Sequence, residues 1–261
     1  MSKLTPFVLL FGGSGNRLFQ LARAWCLQQA GFHPVVADIE EFTDLNWGTN
    51  KLLGWTQHPI WIDTVALCKV LGLERARPNF LLRCRLYGSF LRLAFGDRRA
   101  KLNTSEAIDQ RSVQIGYFQS LHSVSPDSIS AVAEALRGLI DSAGPVAAEI
   151  VMHVRGGDFA VEDRLSAEGV LGFIAANPEC VCVTNDPEYV ALYYPEVRIL
   201  PSTGPKADFT TLSQARLIMP SNSTFCFWAC VIAVNRQNAK LWFRPASDYW
   251  EQIDVRMRTS A

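Results

Sequence analysis

Residues 7–16 read Phe-Val-Leu-Leu-Phe-Gly-Gly-Ser-Gly-Asn, a short apolar run that ends in a glycine turn. Residues 16–29 then carry apolar side chains at helical spacing, and residues 33–38 read as a second strand. A strand, a glycine turn, a helix and another strand form the β-α-β unit that begins a parallel sheet. The sequence therefore predicts an α/β fold.

The same alternation continues along the chain and repeats after residues 141–145, Asp-Ser-Ala-Gly-Pro, which are the best linker candidate. We therefore predict two doubly wound, Rossmann-like domains that face one another, at residues 1–143 and 144–261. Further strands are predicted at residues 113–117, 148–153, 180–184, 197–200, 217–219 and 240–243. Further helices are predicted at residues 64–73, 78–95, 125–139, from 187, 208–215 and 224–234.

Composition excludes several classes of partner. The 261 residues include 25 basic and 25 acidic side chains, so no overall field draws the protein to nucleic acid or to a membrane. The apolar run at residues 7–11 is too short for a signal sequence or a membrane span. We expect a cytoplasmic protein with no nucleic-acid partner.

The hexapeptide His153-Val-Arg-Gly-Gly-Asp158 follows an apolar run and ends a predicted strand. In α/β folds, ligands bind beyond the carboxyl ends of the strands. The planar guanidinium of Arg155 suits phosphate, and the two glycines allow close approach. The alternative is a surface loop in which Arg155 and Asp158 pair with each other.

Three other strand ends are polar. The glycine turn at residues 12–16 can present backbone amides to an anion or a sugar, or be a tight turn without a ligand. Ser221-Asn-Ser-Thr224 precedes an apolar helix and can bind phosphate oxygens, or simply cap that helix. The carboxylate of Asp186 can accept hydrogen bonds from a guanine edge, or start a helix ahead of Pro187.

No metal site is predicted. The four histidines are far apart in sequence, the seven cysteines show no zinc-type spacing, and there is no Asp-x-Asp motif that would hold a divalent ion against a diphosphate. We expect neither a metal nor another cofactor.

Four segments occur in the order found in one family. They are Gly12-Gly-Ser-Gly-Asn-Arg-Leu-Phe-Gln20, Gly116-Tyr-Phe-Gln-Ser120, His153-Val-Arg-Gly-Gly-Asp158 and Asn222-Ser-Thr-Phe-Cys-Phe-Trp228. The chain thereby resembles the α-1,2-fucosyltransferases of glycosyltransferase family 11, with a weaker echo at residues 245–250. Residues 40–110 show no resemblance.

The resemblance implies a GT-B architecture, with the acceptor on residues 1–143 and the GDP-sugar on residues 144–261. It also implies the reaction: inverting, metal-independent transfer of fucose from GDP-fucose to a galactose-type hydroxyl of a glycan, in α-1,2 linkage.

The family's pattern implies site residues as well. Arg155 and Asp158 are the expected catalytic residues, and Glu162 and Asp163 remain alternatives to Asp158 as the base. The expected donor-binding residues are Gly13, Asn16, Arg17, His153, Arg155, Asp186, Ser223, Thr224 and Phe225.

The chain departs from the family at three positions: it has Ser14, Arg17 and Gly156 where the family usually has Leu, Gln and a second Arg. We hypothesise that Arg17 compensates for the charge missing at Gly156 and that Arg17→Gln weakens GDP binding. Because these three residues alter the pocket, another GDP-deoxyhexose remains an alternative donor.

The segment 69–101 carries nine Lys and Arg residues against two acidic ones. Interleaved with Leu, Phe and Tyr, it could rest on an anionic leaflet and meet a lipid-linked acceptor. An ordinary solvated helix face is the favoured alternative.

Two other functions remain open. One is a non-catalytic sugar-nucleotide or glycan-binding module. The other is a nicotinamide-dependent oxidoreductase, for which Asp38 as a ribose partner is the only support, since the glycine turn lacks the third glycine of G-x-G-x-x-G.

Overall fold

The computed structural model describes residues 5–41, 60–76, 83–84, 113–120, 123–140, 148–156, 166–245 and 247–252. The chain divides into two compact units, of which the first ends at Leu136 and the second begins at Arg137.

The first unit contains a sheet of four parallel strands in the order β3-β2-β1-β4. Its strands are β1 (Phe7–Leu10), β2 (Val35–Asp38), β3 (Glu74–Arg75) and β4 (Val113–Gln114). Its helices are α1 (Ser14–Gln29) and α2 (Thr64–Leu71), with a 3-10 turn at Ile39–Glu41; helix α3 (Pro126–Ile140) spans the division between the units.

The second unit contains five parallel strands in the order β7-β6-β5-β8-β9. They are β5 (Ile150–Val154), β6 (Val181–Thr184), β7 (Arg198–Ile199), β8 (Leu217–Met219) and β9 (Lys240–Leu241). Its helices are α4 (Ala167–Ala176), α5 (Pro187–Tyr193), α6 (Pro205–Gln214) and α7 (Thr224–Gln237), followed by a 3-10 turn at Asp248–Gln252.

In each sheet, the first three strands along the chain lie side by side in chain order, and the fourth reverses this order by pairing with the free side of the first. Strands β1, β2 and β3 are thus followed by β4 next to β1, and strands β5, β6 and β7 by β8 next to β5. Because crossovers between parallel strands are right-handed, the connections made before and after the reversal lie on opposite faces of the sheet. In the second unit, side chains of α4 and α5 pack with Met152 and Val154 of β5 in one apolar core. The predicted α/β class with two doubly wound parallel sheets is confirmed.

Helix ends follow local chemistry. Ser128 N–H donates to Ser125 Oγ at 3.2 Å, so Ser125 caps α3. Helix α2 ends at Leu71, two residues before the predicted end. Gly72 has φ +67°, the left-handed conformation that glycine adopts readily after a helix.

Two other helices also differ from the sequence prediction. Helix α4 was not predicted; its N-cap residue is Ser166, whose side chain accepts a hydrogen bond from Gly169 N–H. Helix α6 begins at Pro205 rather than near residue 208, since proline is favoured in a first turn. The predicted helix at 78–95 lies outside the described residues except for 83–84. Among the described helices, none has the length and apolarity to cross a membrane.

Candidate functional site

Each sheet has a switch point, where connections leave neighbouring strands in opposite directions. In the first unit it lies between β1 and β4, and in the second between β5 and β8. Ligands of doubly wound proteins bind outside the carboxyl ends of the strands at such points. The described residues of all four segments that resemble the transferase family lie at these two positions, two segments at each.

In the first unit, Gln20 ties the two segments together. Phe11 N–H donates to Gln20 Oε1 at 2.9 Å, and Gln20 Nε2 donates to the Gly116 carbonyl oxygen at 3.1 Å. Gln20 is fully buried, so both hydrogen bonds are shielded from water. The ends of β1 and β4 are therefore held together by one side chain.

The glycine turn is shaped by its neighbours. Gly12 has φ +74°, and a β-carbon there would lie 3.1 Å from Asn16 Nδ2. Gln119 Nε2 donates to Asn16 Oδ1 at 2.9 Å, a contact between residues 103 apart in sequence. Phe118 also has a positive φ, +53°, which is uncommon for a bulky residue. This strained backbone lies between Tyr117, which packs on Phe11, and Gln119.

Arg17 forms a buried ion pair inside the first unit. Its Nη1 lies 2.7 Å from both carboxylate oxygens of Asp38, and its Nε donates to the Gly12 carbonyl oxygen at 3.0 Å. Asp38 also accepts hydrogen bonds from Glu40 N–H and Thr64 Oγ1. Arg17 thus anchors the glycine turn to the end of β2. Its part in donor binding stays a prediction.

The same geometry bears on the oxidoreductase alternative. Asp38 was its only support, as a partner for a ribose hydroxyl. The carboxylate is buried and bonded to Arg17, Glu40 and Thr64, so it serves the fold of the first unit.

In the second unit, His153 joins the other two segments. Its Nδ1 lies 2.6 Å from Ser221 Oγ, and its ring stacks on Phe225 with centroids 5.8 Å apart. His153 and Ser221 are 68 residues apart in sequence and both are buried. The fold therefore places His153 beside the start of α7, and its part in donor binding stays a prediction.

Helix α7 begins at this switch point without a side-chain cap. Ser223 is the N-cap residue, is buried, and makes no capping hydrogen bond. Helices α1 and α6 each follow a glycine N-cap and likewise have no side-chain cap, whereas Asp63, Ser166 and Asp186 cap the helices that follow them. The capping alternative for Ser223 is therefore not supported. The first-turn amides of α7 carry the partial positive charge of the helix N-terminus.

Asp186 has the geometry of a helix cap: Tyr189 N–H donates to its Oδ1 at 3.1 Å. Its side chain also lies against Gly156, where a β-carbon would be 2.5 Å from Asp186 Oδ2. Gly156 N–H donates to Asn185 Oδ1 at 3.0 Å. The two residues that follow β6 therefore lie directly against Gly156, the residue after Arg155. A guanine contact of Asp186 remains a prediction.

Arg155 is half-buried and directly follows β5, between His153 and Gly156. It is the predicted phosphate ligand, and its place at the carboxyl end of β5 fits that role. Asp158, Glu162 and Asp163, the candidates for the base, lie outside the described residues.

The sequence analysis missed one carboxylate near this site, Asp208 in the first turn of α6. Ser202 Oγ donates to Asp208 Oδ2 at 2.8 Å. Burial raises the pKa of Asp208, although the hydrogen bond from Ser202 and the charge of His153 lower it. Nothing in the sequence near Asp208 distinguishes it from an ordinary helix-start residue. Among the described residues, no three His, Cys, Asp or Glu side chains group as metal ligands.

Comparisons with known proteins found no matching family model and no matching curated protein. Two similar solved structures are of the E. coli heptosyltransferase WaaC. The one with ADP is 10% identical, with a TM-score of 0.45 over 94% of this chain and 89% of that chain. The one with ADP-2-deoxy-2-fluoro heptose is 12% identical, with a TM-score of 0.41 over 92% and 89% of the two chains.

Proposed function

We propose that the protein is an inverting, metal-independent glycosyltransferase that moves fucose from GDP-fucose to a galactose-type hydroxyl of a glycan, in α-1,2 linkage. Residues 144–261 bind the donor in this account, and residues 1–143 serve the acceptor. The protein acts in the cytoplasm or on the membrane surface, and needs no cofactor beyond the donor.

One observation carries the proposal: the hydrogen bond between His153 and Ser221. It brings the strand end that bears Arg155 beside the start of α7, although the two segments are distant in sequence. A cationic side chain and an uncapped helix N-terminus at one switch point suit a diphosphate, which carries negative charge on several oxygens.

The chemistry needs those positive groups. The acceptor oxygen forms a bond to the anomeric carbon of fucose while the bond from that carbon to the GDP oxygen breaks, and GDP leaves with the electron pair. Arg155 and the first-turn amides of α7, at Thr224 and Phe225, stabilise the growing negative charge on GDP. The acceptor's proton passes to a carboxylate, for which Asp158 is the first choice and Glu162 and Asp163 are alternatives.

The first unit's switch point presents Gly13 and Asn16, which we assign to the donor sugar or diphosphate. The basic segment 69–101 lies largely outside the described residues. Co-sedimentation with anionic vesicles tests whether it contacts a membrane. If the protein does not bind the vesicles, the segment neither holds the protein on a membrane nor meets a lipid-linked acceptor there.

Ligand binding tests the donor assignment. Calorimetry and thermal unfolding with GDP-fucose, GDP-mannose and NAD should show binding and stabilisation by GDP-fucose and no effect of NAD. Arg155→Ala should abolish GDP binding, whereas Arg216→Ala, which alters an exposed arginine, should not. Stabilisation by NAD alone would indicate an oxidoreductase. Binding of GDP-fucose without transfer to any galactoside would indicate a non-catalytic module, and transfer from another GDP-deoxyhexose would correct the donor.

A further inference from the structure

A short segment near the C-terminus contacts the loop that precedes α7. Ser247 Oγ donates a hydrogen bond to Asn222 Oδ1 at 2.6 Å, and the Tyr249 hydroxyl donates to the same oxygen at 3.2 Å. Asn222 lies between Ser221, the partner of His153, and Ser223, the first residue of the helix start. Both hydroxyl groups therefore act on the middle residue of the loop.

The segment that carries these hydroxyls is itself firmly held. Tyr249 and Trp250 are buried, and both rings meet Phe227 edge-on, at centroid distances of 5.3 and 5.4 Å. Trp250 N–H donates to the Ser247 carbonyl oxygen at 2.9 Å, which closes a turn. Since Phe227 belongs to α7, the hydroxyls are anchored to the same helix whose beginning they contact.

These contacts determine how the loop is ordered. An asparagine before a helix commonly bonds through its side chain to nearby backbone N–H groups. Here the side-chain oxygen of Asn222 accepts from Ser247 and Tyr249, and Ser223 N–H bonds instead to the Ser221 carbonyl oxygen at 2.8 Å. The position of the α7 start thus depends on contacts from outside its own loop.

We infer that Ser247 and Tyr249 are positioning residues for the donor diphosphate, acting through Asn222. They hold the loop in place. The first-turn amides of α7 and Ser221, which bonds to His153, thereby keep the positions in which they bind the diphosphate. This inference rests on the proposed function, because the two residues can position a diphosphate only if the second unit binds a GDP-sugar.

Removing each hydroxyl without changing the shape of the side chain tests the inference. Tyr249→Phe and Ser247→Ala should each raise the Kd for GDP about three- to tenfold, the scale of one lost hydrogen bond. Calorimetry is done well below the unfolding temperature, so that every variant is folded. Matched controls are Tyr193→Phe and Ser130→Ala, which alter exposed residues and should leave the Kd unchanged.

A purely structural role predicts a different result: the unfolding temperature falls while the Kd stays the same. A double-mutant cycle separates the two, because in an Asn222→Ala background Tyr249→Phe should raise the Kd no further. Equal Kd values for the wild type and Tyr249→Phe would overturn this inference and leave the proposed function standing. Additive effects of Asn222→Ala and Tyr249→Phe would also overturn it. A wild-type protein that does not bind GDP would overturn both.

Discussion

Gly156 lies so close to the side chain of Asp186 that a β-carbon at position 156 would be 2.5 Å from Asp186 Oδ2 and 2.6 Å from its Cβ. Real β-carbons essentially never approach heavy atoms so closely. Position 156 is one at which the transferase family that the sequence resembles usually has arginine, and the glycine found here therefore has a physical reason. Asp186 occupies the space into which a side chain would project.

Gly156→Ala should destabilise the protein by about 1–3 kcal/mol, because the new methyl group forces Asp186 or the β5 end to move. Urea unfolding measures the change. The matched control is Gly172→Ala in α4, where a β-carbon meets nothing within 4 Å. That variant should gain about 0.5–1 kcal/mol, since alanine is the better helix former. Equal stability of Gly156→Ala and the wild type would contradict the close packing.

Arg17→Gln should lower stability by about 3–5 kcal/mol, because it leaves the buried carboxylate of Asp38 without its charged partner. Thermal and urea unfolding measure the loss, and adding Asp38→Asn should restore part of it. Arg216→Gln breaks an exposed pair with Glu149 and should change stability by less than about 1 kcal/mol.

The earlier hypothesis that Arg17→Gln weakens GDP binding needs a folded variant. Calorimetry on protein shown to be folded tests it, and unchanged GDP affinity would remove Arg17 from the donor-binding residues. An Arg17→Gln variant as stable as the wild type would contradict the buried ion pair instead.

Cysteine reactivity should follow burial. Burial raises the pKa of Cys68 and of Cys182 to about 12, whereas Cys84 is exposed. Since the thiolate is the reactive form, native protein at about pH 8 should be alkylated at Cys84 and not at the two buried thiols. Mass spectrometry of the peptides reads this directly, with protein in denaturant as the control. Rapid modification of Cys68 in native protein would show that the first unit's core is not closed.

Much of the fold could be predicted from periodicity, because apolar strands and glycine turns alternate with helices in both halves. Helix α4 could not, since its ten residues include Gly169 and Gly172 and bury only Val170 and Phe173. The short strand β3 was missed for a related reason: two residues are too few to show an alternation.

The site was predicted unevenly. The location of Arg155, His153 and the Ser223 helix start at or near strand ends could be predicted because they lie in recognisable segments. Their part in donor binding stays a prediction. The roles of Arg17 and Asp38 could not be predicted, since a charged pair distant in sequence leaves no periodic signal. The same holds for Tyr249, whose partner Asn222 is identified only by the fold.

Arg155→Ala should abolish sugar transfer while leaving the fold intact, because the side chain is at the end of β5 rather than in the apolar core. Circular dichroism and unfolding establish that the variant is folded. Arg155→Lys keeps the charge but loses the planar fork of donors, so it should retain only a small part of the activity. Full activity in Arg155→Ala would remove this residue from the mechanism.

The most direct test of the account is mass spectrometry of products formed from GDP-fucose and a panel of galactosides, with GDP release followed in parallel. We predict that the wild-type protein yields a galactoside heavier by one deoxyhexose residue, with one GDP released for each product. The Arg155→Ala protein should yield none. A wild-type protein that is folded and binds GDP-fucose, yet forms no glycoside with any galactoside, would contradict the proposed transferase activity.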